Sequence, residues 1–232
     1  MKVTPQKLYK MLLKEFGSLN WWPMDQDYHK KFNGDPRFEV IVGAILTQNT
    51  AWSNVEKALD NLKSKNFLEI KKISEINTKT LQKMVKPSGF FKQKADRLKN
   101  LASYLQNNYN GNLDRFFNRN LQEIREELLA LNGVGPETAD SILLYAGNLP
   151  IFVVDAYTKR ICKRIPIDVS VSYEEIQDYF QRKLAKTYKK KELTKAYNEL
   201  HALIVILAKT YCKKKPDCTN CPLKNHCKKL LQ

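Results

Sequence analysis

The stretch from Leu131 to Asp140 reads L-N-G-V-G-P-E-T-A-D and places two glycines just ahead of a proline. Gly133 and Gly135 can adopt backbone angles that other residues avoid, and Pro136 suits the first position of a helix. The stretch therefore predicts a helix, a glycine hairpin around Val134 and a second helix. The first amide N–H groups of a helix have no helical partner, so this hairpin can hold an anion such as a phosphate.

Asp155 ends the apolar run I-F-V-V-D, which lies between Pro150 and a second helical stretch at residues 156–164. An aspartate directly before a helix is most simply an N-cap, whose carboxylate accepts hydrogen bonds from the first turn. A carboxylate in this place can also stabilise positive charge that develops on a substrate. The residues alone leave both interpretations open.

Four of the five cysteines lie near the C-terminus in the pattern C-x5-C-x2-C-x5-C. Four thiolates within so short a segment can surround one [4Fe-4S] cluster or one tetrahedral zinc ion. Zinc usually favours two C-x2-C pairs, and only one is present, so the pattern favours the iron–sulfur cluster. Such a loop would present nearby lysines to phosphates. The candidate ligands are Cys212, Cys218, Cys221 and Cys227, and the lysines include Lys213 and Lys214. Cys162 is predicted to be a core residue.

The composition describes a basic globular protein of 232 residues, 43% of them hydrophobic. Forty Lys and Arg against 24 Asp and Glu give a formal net charge of +16. Such a charge favours a polyanionic partner, and nucleic acid is the first candidate, although a membrane surface also attracts basic proteins. No apolar run is long enough to span a membrane. The crowded cysteines favour a reducing compartment, so we expect a cytoplasmic, nucleoid-associated protein.

Apolar residues recur at helical spacing through most of the chain, and no segment shows the alternation of a strand series. Residues 1–20 and 197–210 read as amphipathic helices, and residues 38–46 as a buried helix. Asn120 and Glu123 are typical of a helix start. The sequence therefore predicts an all-α protein.

In combination, these motifs resemble the helix-hairpin-helix DNA glycosylases of the endonuclease III family, and the resemblance covers the chain from Trp21 to Cys227. It implies two helical lobes with a central DNA-binding cleft and a C-terminal iron–sulfur loop. We expect residues 30–140 to form one lobe with the hairpin. Residues 1–29 and 141–232 would form the other, with the cluster loop at 206–232. The first cysteine gap is one residue shorter than is usual in the family.

The resemblance also implies the chemistry. An aspartate in the place of Asp155 serves catalysis in this family. Bifunctional relatives carry a lysine where this chain has Glu137, and a carboxylate cannot form the imine that precedes strand cleavage. Adenine-removing relatives carry a catalytic carboxylate where this chain has Gly43. The expected activity is therefore that of a monofunctional glycosylase, in which Glu137 lines the pocket mouth or only caps the hairpin helix.

The segments W-W-P and L-T-Q-N-T-A-W are similar to those of the 3-methyladenine branch. They imply a base pocket lined by Trp21, Trp22, Pro23 and Trp52. Gln48 and Phe90 fall where relatives carry residues that fill the duplex after a base is extruded. Ordinary packing is an alternative for each: the tryptophan pair could fix the N-terminal helix to the body, and Phe90 or Phe91 could be core.

The expected substrate is double-stranded DNA with a damaged base, most simply an alkylated purine such as 3-methyladenine. The expected protein is a monomer. Uracil or thymine excision from mismatches and excision of oxidised pyrimidines are alternatives within the same family. A non-catalytic DNA-binding module is an alternative from another class.

Overall fold

The computed structural model describes residues 2–167, 169 and 172–227. Within these ranges the chain forms thirteen α-helices and no β-strand, which confirms the predicted all-α class. In chain order the helices are α1 (Pro5–Phe16), α2 (Gln26–Phe32), α3 (Pro36–Leu46), α4 (Trp52–Ser64), α5 (Ile70–Glu75), α6 (Thr78–Val85), α7 (Phe91–Tyr109), α8 (Leu113–Phe117), α9 (Leu121–Ala130), α10 (Pro136–Ser141), α11 (Ala156–Arg164), α12 (Tyr173–Leu184) and α13 (Lys190–Thr210). Residues 228–232 of the predicted cluster loop lie outside the described residues.

The chain divides into two compact units, one of residues 22–147 and one of residues 1–21 with 148–232. The unit of residues 22–147 is built around α3. Asp35 caps this helix, Pro36 begins it, and every residue from Phe38 to Leu46 is buried. The packing of α3 against α4, α7 and the π-helical turn at Ile142–Ala146 explains why this helix is apolar on all sides.

The predicted hairpin lies between α9 and α10. Asn120 accepts hydrogen bonds from the N–H groups of Gln122 and Glu123, and α9 ends at Ala130, as the sequence indicates. Helix α10 begins at Pro136 and continues as the π-helical turn. Arg125 donates a 2.7 Å hydrogen bond to the fully buried carboxylate of Asp140, which ties the two helices together.

The other unit is built around α13, which packs against α1, α11 and α12. The run from Ile151 to Val154 is buried and leads directly into α11. Its Phe152 ring stacks on Phe180 of α12 with the ring centroids 4.7 Å apart. Among the described residues, none of the helices has both the length and the apolar character that a membrane crossing requires.

Candidate active site and nucleic-acid interface

Asp155 is the buried N-cap of α11. Its Oδ1 atom accepts hydrogen bonds from the backbone N–H and the hydroxyl of Thr158, at 2.7 and 2.8 Å. Burial acts to raise the pKa of Asp155, but His201 and the Thr158 hydrogen bonds together outweigh it and hold the pKa below its usual range. The carboxylate is therefore ionised at neutral pH despite its burial.

His201 is a neighbour of Asp155 that the sequence did not identify. Its Nε2 atom lies 3.6 Å from Asp155 Oδ2, and both side chains are buried. His201 belongs to the middle of α13, where a lone histidine on an apolar helix gives no signal of function. Only the packing of α11 against α13 brings the two groups together.

The two hairpin glycines differ in whether the fold would allow a side chain at their position. Gly133 has φ of +82°, and a Cβ there would lie 2.1 Å from Arg97 Nε, so the fold itself requires glycine at this position. Gly135 has an ordinary φ of −91°, and a Cβ there would meet no atom within 4 Å. Val134 between them is buried, and its N–H donates to Leu131 O. Glu137 is exposed in the first turn of α10.

Gln48 is tied to the hairpin through both ends of its amide. Its Nε2 atom donates to Gly133 O and to Thr138 Oγ1, both at 2.9 Å, and its Oε1 atom accepts from Arg97 at 2.5 Å. The structure therefore brings Gln48 and Gly133, two predicted DNA-binding residues, into one hydrogen-bonded network. Arg97 and Thr138 are the members of this network that the sequence did not indicate.

Phe90 is not a core residue, because 65% of it is exposed. It directly precedes α7 and has φ of +46°, a left-handed conformation that is unfavourable for an aromatic residue. Lys94, one turn later, is buried and donates hydrogen bonds to Leu46 O at 2.8 Å and Ser88 O at 2.7 Å. Burial, and then the Arg97 guanidinium, lower the pKa of Lys94 to about 8. Lys94 thus links the end of α3 to the turn that carries Phe90.

Trp22 and Trp52 belong to one aromatic cluster. Their ring centroids are 5.2 Å apart in an edge-to-face arrangement, and Tyr145 lies 5.2 Å from Trp22 on the π-helical turn. The Trp22 indole covers Gly43, where an added Cβ would lie 3.1 Å from the ring. A carboxylate side chain at position 43 is therefore incompatible with this placement of Trp22.

The other two predicted pocket residues are Pro23 and Trp21. Pro23 is exposed and, with Trp52, lines an open pocket that the buried Glu39 also lines. Trp21 is half-buried and ends the N-terminal segment of the α13 unit.

The four C-terminal cysteines line a single cavity beside Arg164. Burial, and then the three neighbouring cysteines, raise the pKa of the Cys221 thiol. No group of three or more His, Cys, Asp or Glu residues in the described part of the chain is arranged as a site for a single metal ion. The thiols thus surround a shared space without converging on one point.

The cysteine loop is fixed to α11 by two arginines. Arg160 donates to Cys212 O at 2.8 Å. Arg164 donates to the Cys212 sulfur at 3.1 Å and to the carbonyls of Lys213 and Lys214 at 2.7 and 3.4 Å. Both lysine side chains are exposed. The helix that Asp155 caps is therefore also the helix to which the loop is anchored.

Residues 42–186 match the model of a protein family described as the HhH-GPD superfamily of base excision DNA repair proteins. The chain is 45% identical over 224 residues to a Methanocaldococcus jannaschii protein named "Putative DNA repair glycosylase", with 95% of this chain and 94% of the relative covered. It is 28% identical over 198 residues to endonuclease III of Thermotoga maritima, with 83% of each chain covered.

Among solved structures, the chain is similar to a 3-methyladenine DNA glycosylase of H. pylori bound to 1,N6-ethenoadenine. The TM-score is 0.67 at 29% identity, and the match covers 89% of this chain and 98% of the other.

Proposed function

Since the chain belongs to the HhH-GPD superfamily of base excision DNA repair proteins, we propose that it is a monofunctional DNA glycosylase that removes an alkylated purine, such as 3-methyladenine, and leaves an abasic site. The observation that carries this proposal is the Asp155 carboxylate, which is buried and yet held ionised. Breaking an N-glycosidic bond puts positive charge on the sugar, and a fixed anion stabilises that charge.

In the proposed reaction the damaged nucleotide leaves the duplex before chemistry begins. The bond between the base and C1′ breaks, and its electron pair leaves with the base. Asp155 stabilises the resulting oxocarbenium-like sugar and orients a water molecule, which adds to C1′ and loses a proton to solvent. An alkylated purine that already carries a positive charge leaves as a neutral base, so the reaction needs no strong general acid.

Two features support an alkylated purine over the other lesions. The cluster of Trp22, Trp52 and Tyr145 offers electron-rich rings, which attract a cationic base. The similar H. pylori structure is that of a 3-methyladenine DNA glycosylase, and it holds the modified adenine 1,N6-ethenoadenine. Excision of oxidised pyrimidines in the manner of endonuclease III is the second candidate, because that enzyme is also a relative.

The proposed DNA contacts lie around the hairpin. Gly133, Val134 and Gly135 would bring backbone amides to a phosphate, while Phe90 and Gln48 would fill the space that the extruded nucleotide leaves. The exposure of Phe90 and its left-handed backbone support this role, since a strained and exposed aromatic residue gives the fold no benefit. Gln48 would exchange its Arg97 contact for a base of the duplex.

We further propose that Cys212, Cys218, Cys221 and Cys227 hold a [4Fe-4S] cluster. The four thiols share one cavity, and a cubic cluster takes one thiolate at each iron, so its ligands need not converge on one point as they do around zinc. The cluster would supply a rigid frame for a short loop and no step of the reaction. Lys213 and Lys214 would then contact DNA phosphates.

The test of the proposed function is base release by the purified protein from duplexes carrying methylated, deaminated or oxidised bases. We expect release from methylated purines and an abasic product that stays unbroken until it is treated with alkali. Preferential release of oxidised pyrimidines would support the second candidate. No release from any duplex, together with retained DNA binding, would support a non-catalytic module.

Replacement of Glu137 by lysine is expected to introduce weak strand cleavage. A lysine at this position could attack C1′ of the sugar and form a Schiff base, which Glu137 cannot do. The measurement is trapping of a covalent protein–DNA complex with borohydride, and Glu137→Gln is the matched control that should not be trapped. Equal trapping of the lysine and glutamine variants would show that position 137 does not reach the sugar.

Alanine substitutions at the two hairpin glycines are expected to have different effects: Gly133→Ala should lower the free energy of unfolding, and Gly135→Ala should weaken DNA binding. Gly133→Ala should lower the free energy of unfolding by about 1–2 kcal/mol, because φ is positive and Arg97 occupies the space. Gly135→Ala should leave the free energy of unfolding within about 1 kcal/mol, because the backbone is ordinary and the space is open. Its methyl group would instead keep a phosphate away.

The two measurements are denaturant unfolding and fluorescence anisotropy with a duplex that contains an abasic-site analogue. We expect a loss of DNA affinity of about tenfold for Gly135→Ala, which corresponds to one weakened charge-assisted contact. Full affinity in Gly135→Ala would argue against phosphate binding at the hairpin.

A further inference from the structure

Asp155 has two differently held carboxylate oxygens. Oδ1 accepts both hydrogen bonds from Thr158, so the helix cap fixes it. Oδ2 faces His201, whose Nε2 atom lies 3.6 Å away. This separation is slightly longer than a hydrogen bond, and a small shift of either side chain closes it. Oδ2 is therefore the oxygen whose direction and charge depend on His201.

We propose that His201 is a positioning residue whose imidazole orients Asp155 Oδ2 for the reaction. This inference rests on the proposed glycosylase function. A carboxylate oxygen that is held in one direction needs no reorganisation when positive charge develops on the sugar of the transition state.

The other buried titratable groups on the packed helices do not offer His201 a second anion. Helices α1, α11 and α12 pack against α13 and contribute the buried Tyr9, Cys162 and Tyr173. Burial raises the pKa of Tyr9 and of Cys162 to about 12, as it does for Tyr197 of α13, so these groups stay neutral below pH 8. The Lys159 ammonium lies over the Tyr173 ring, with its Nζ atom 5.7 Å from the ring centroid.

Glu199 is the remaining buried acid on α13, and its carboxylate accepts hydrogen bonds from Ser18, Leu19 and Asn20. It is thus committed to the segment that follows α1. Asp155 is therefore the carboxylate that the His201 imidazole is placed to orient.

Two substitutions of His201 test this orientation. The amide of His201→Gln can still donate an N–H to Oδ2, whereas His201→Leu cannot donate. Base release from methylated duplex is measured in single turnover at about pH 7.5, with spontaneous release subtracted. The glutamine variant should keep the wild-type rate within about threefold, and the leucine variant should lose about 10- to 100-fold.

A leucine variant with the wild-type rate would overturn the proposal, as would a glutamine variant that loses as much activity as the leucine variant. A second measurement does not depend on these variants folding. The chain has three histidines, so imidazole ¹⁵N signals can be assigned in the intact protein. The His201 signals should shift in Asp155→Asn, which removes the neighbouring anion. Unchanged signals contradict the pairing.

The two proposals fail in different ways. A wild-type protein that releases no base from any duplex rejects the glycosylase function, while the His201 imidazole signals still report whether the pair exists. An active wild-type protein whose leucine variant keeps the wild-type rate rejects only the role of His201. DNA affinity by anisotropy should stay within about twofold in both variants, since neither substitution changes a proposed DNA contact.

Discussion

Replacement of Asp155 by asparagine is expected to lower the rate of base release about 1,000-fold while the protein stays folded. A unit negative charge about 4 Å from a developing positive charge contributes about 4 kcal/mol at an effective dielectric constant near 20. This free energy corresponds to about three powers of ten in rate. Asparagine is as good an N-cap as aspartate, so Oδ1 can still accept the Thr158 hydrogen bonds. The free energy of unfolding at neutral pH should therefore change by no more than about 1 kcal/mol.

The measurement is single-turnover base release, combined with thermal unfolding of the same samples. Thr158→Val is the matched control, because valine fills the same buried space and removes only the hydroxyl donor to Oδ1. It keeps the charge of Asp155, so its rate should fall by no more than about tenfold. If Asp155→Asn released base at a rate close to that of Thr158→Val, the charge of Asp155 would not be the source of catalysis.

The direction of the Asp155 pKa shift adds a test that does not involve DNA. Because the folded protein holds this pKa below its ordinary value, Asp155 contributes stability at neutral pH and loses that contribution as the pH falls below about 4. Asp155→Asn has no such group. It should therefore lose less stability than the wild type on acidification, which acid titration of the unfolding free energy can measure.

Local sequence signals predicted the helices and their ends well. Asn120 caps α9, Pro136 begins α10 and Asp155 caps α11, because each of these features depends on residues within one turn. The buried character of α3 was visible in its unbroken apolar run. Helix α13 is longer than predicted, since its first turns are a basic run that its amphipathic pattern does not include.

Contacts between distant segments could not be predicted in the same way. His201 approaches Asp155, and Arg97 joins Gln48 to Gly133, only because separate helices pack together. The fit of Trp22 over Gly43 is of the same kind. Side-chain pairing of this type depends on tertiary packing, which one sequence does not encode at any fixed spacing.

Exposure separated two residues that the sequence had grouped as DNA contacts. Phe90 is exposed, whereas the Val134 side chain is buried and its N–H is used inside the hairpin. A valine between two glycines and a phenylalanine after a glycine both read as loop residues. Only the direction of the backbone decides which side chain faces the core. If the hairpin binds a phosphate, the contribution of Val134 is thus to fix the turn, while Gly135 provides the space.

Replacement of Cys221 by alanine is expected to remove the iron and the visible colour of the purified protein and to loosen the loop that carries Lys213 and Lys214. Between Tyr211 and Cys227, Leu223 is the one buried residue among those the structure describes, so hydrophobic packing alone cannot hold this segment. Without the cluster, the restraints on the described part of the loop would be hydrogen bonds, such as those from Arg160 and Arg164, and the packing of Leu223. DNA affinity should fall by about 10- to 100-fold at low salt, because phosphate contacts are lost.

Cys162→Ala is the matched control, because this cysteine is buried within α11 and burial raises its pKa to about 12, so it is a protonated core thiol. It should keep the iron and lose only the small packing contribution of one sulfur atom. The measurements are iron content, the visible spectrum and the salt dependence of binding. Loss of phosphate contacts predicts a shallower dependence on salt for Cys221→Ala than for Cys162→Ala. Iron retained by Cys221→Ala at the wild-type level would exclude Cys221 as a ligand. Iron loss with an unchanged salt dependence would instead show that the phosphate contacts do not depend on the cluster.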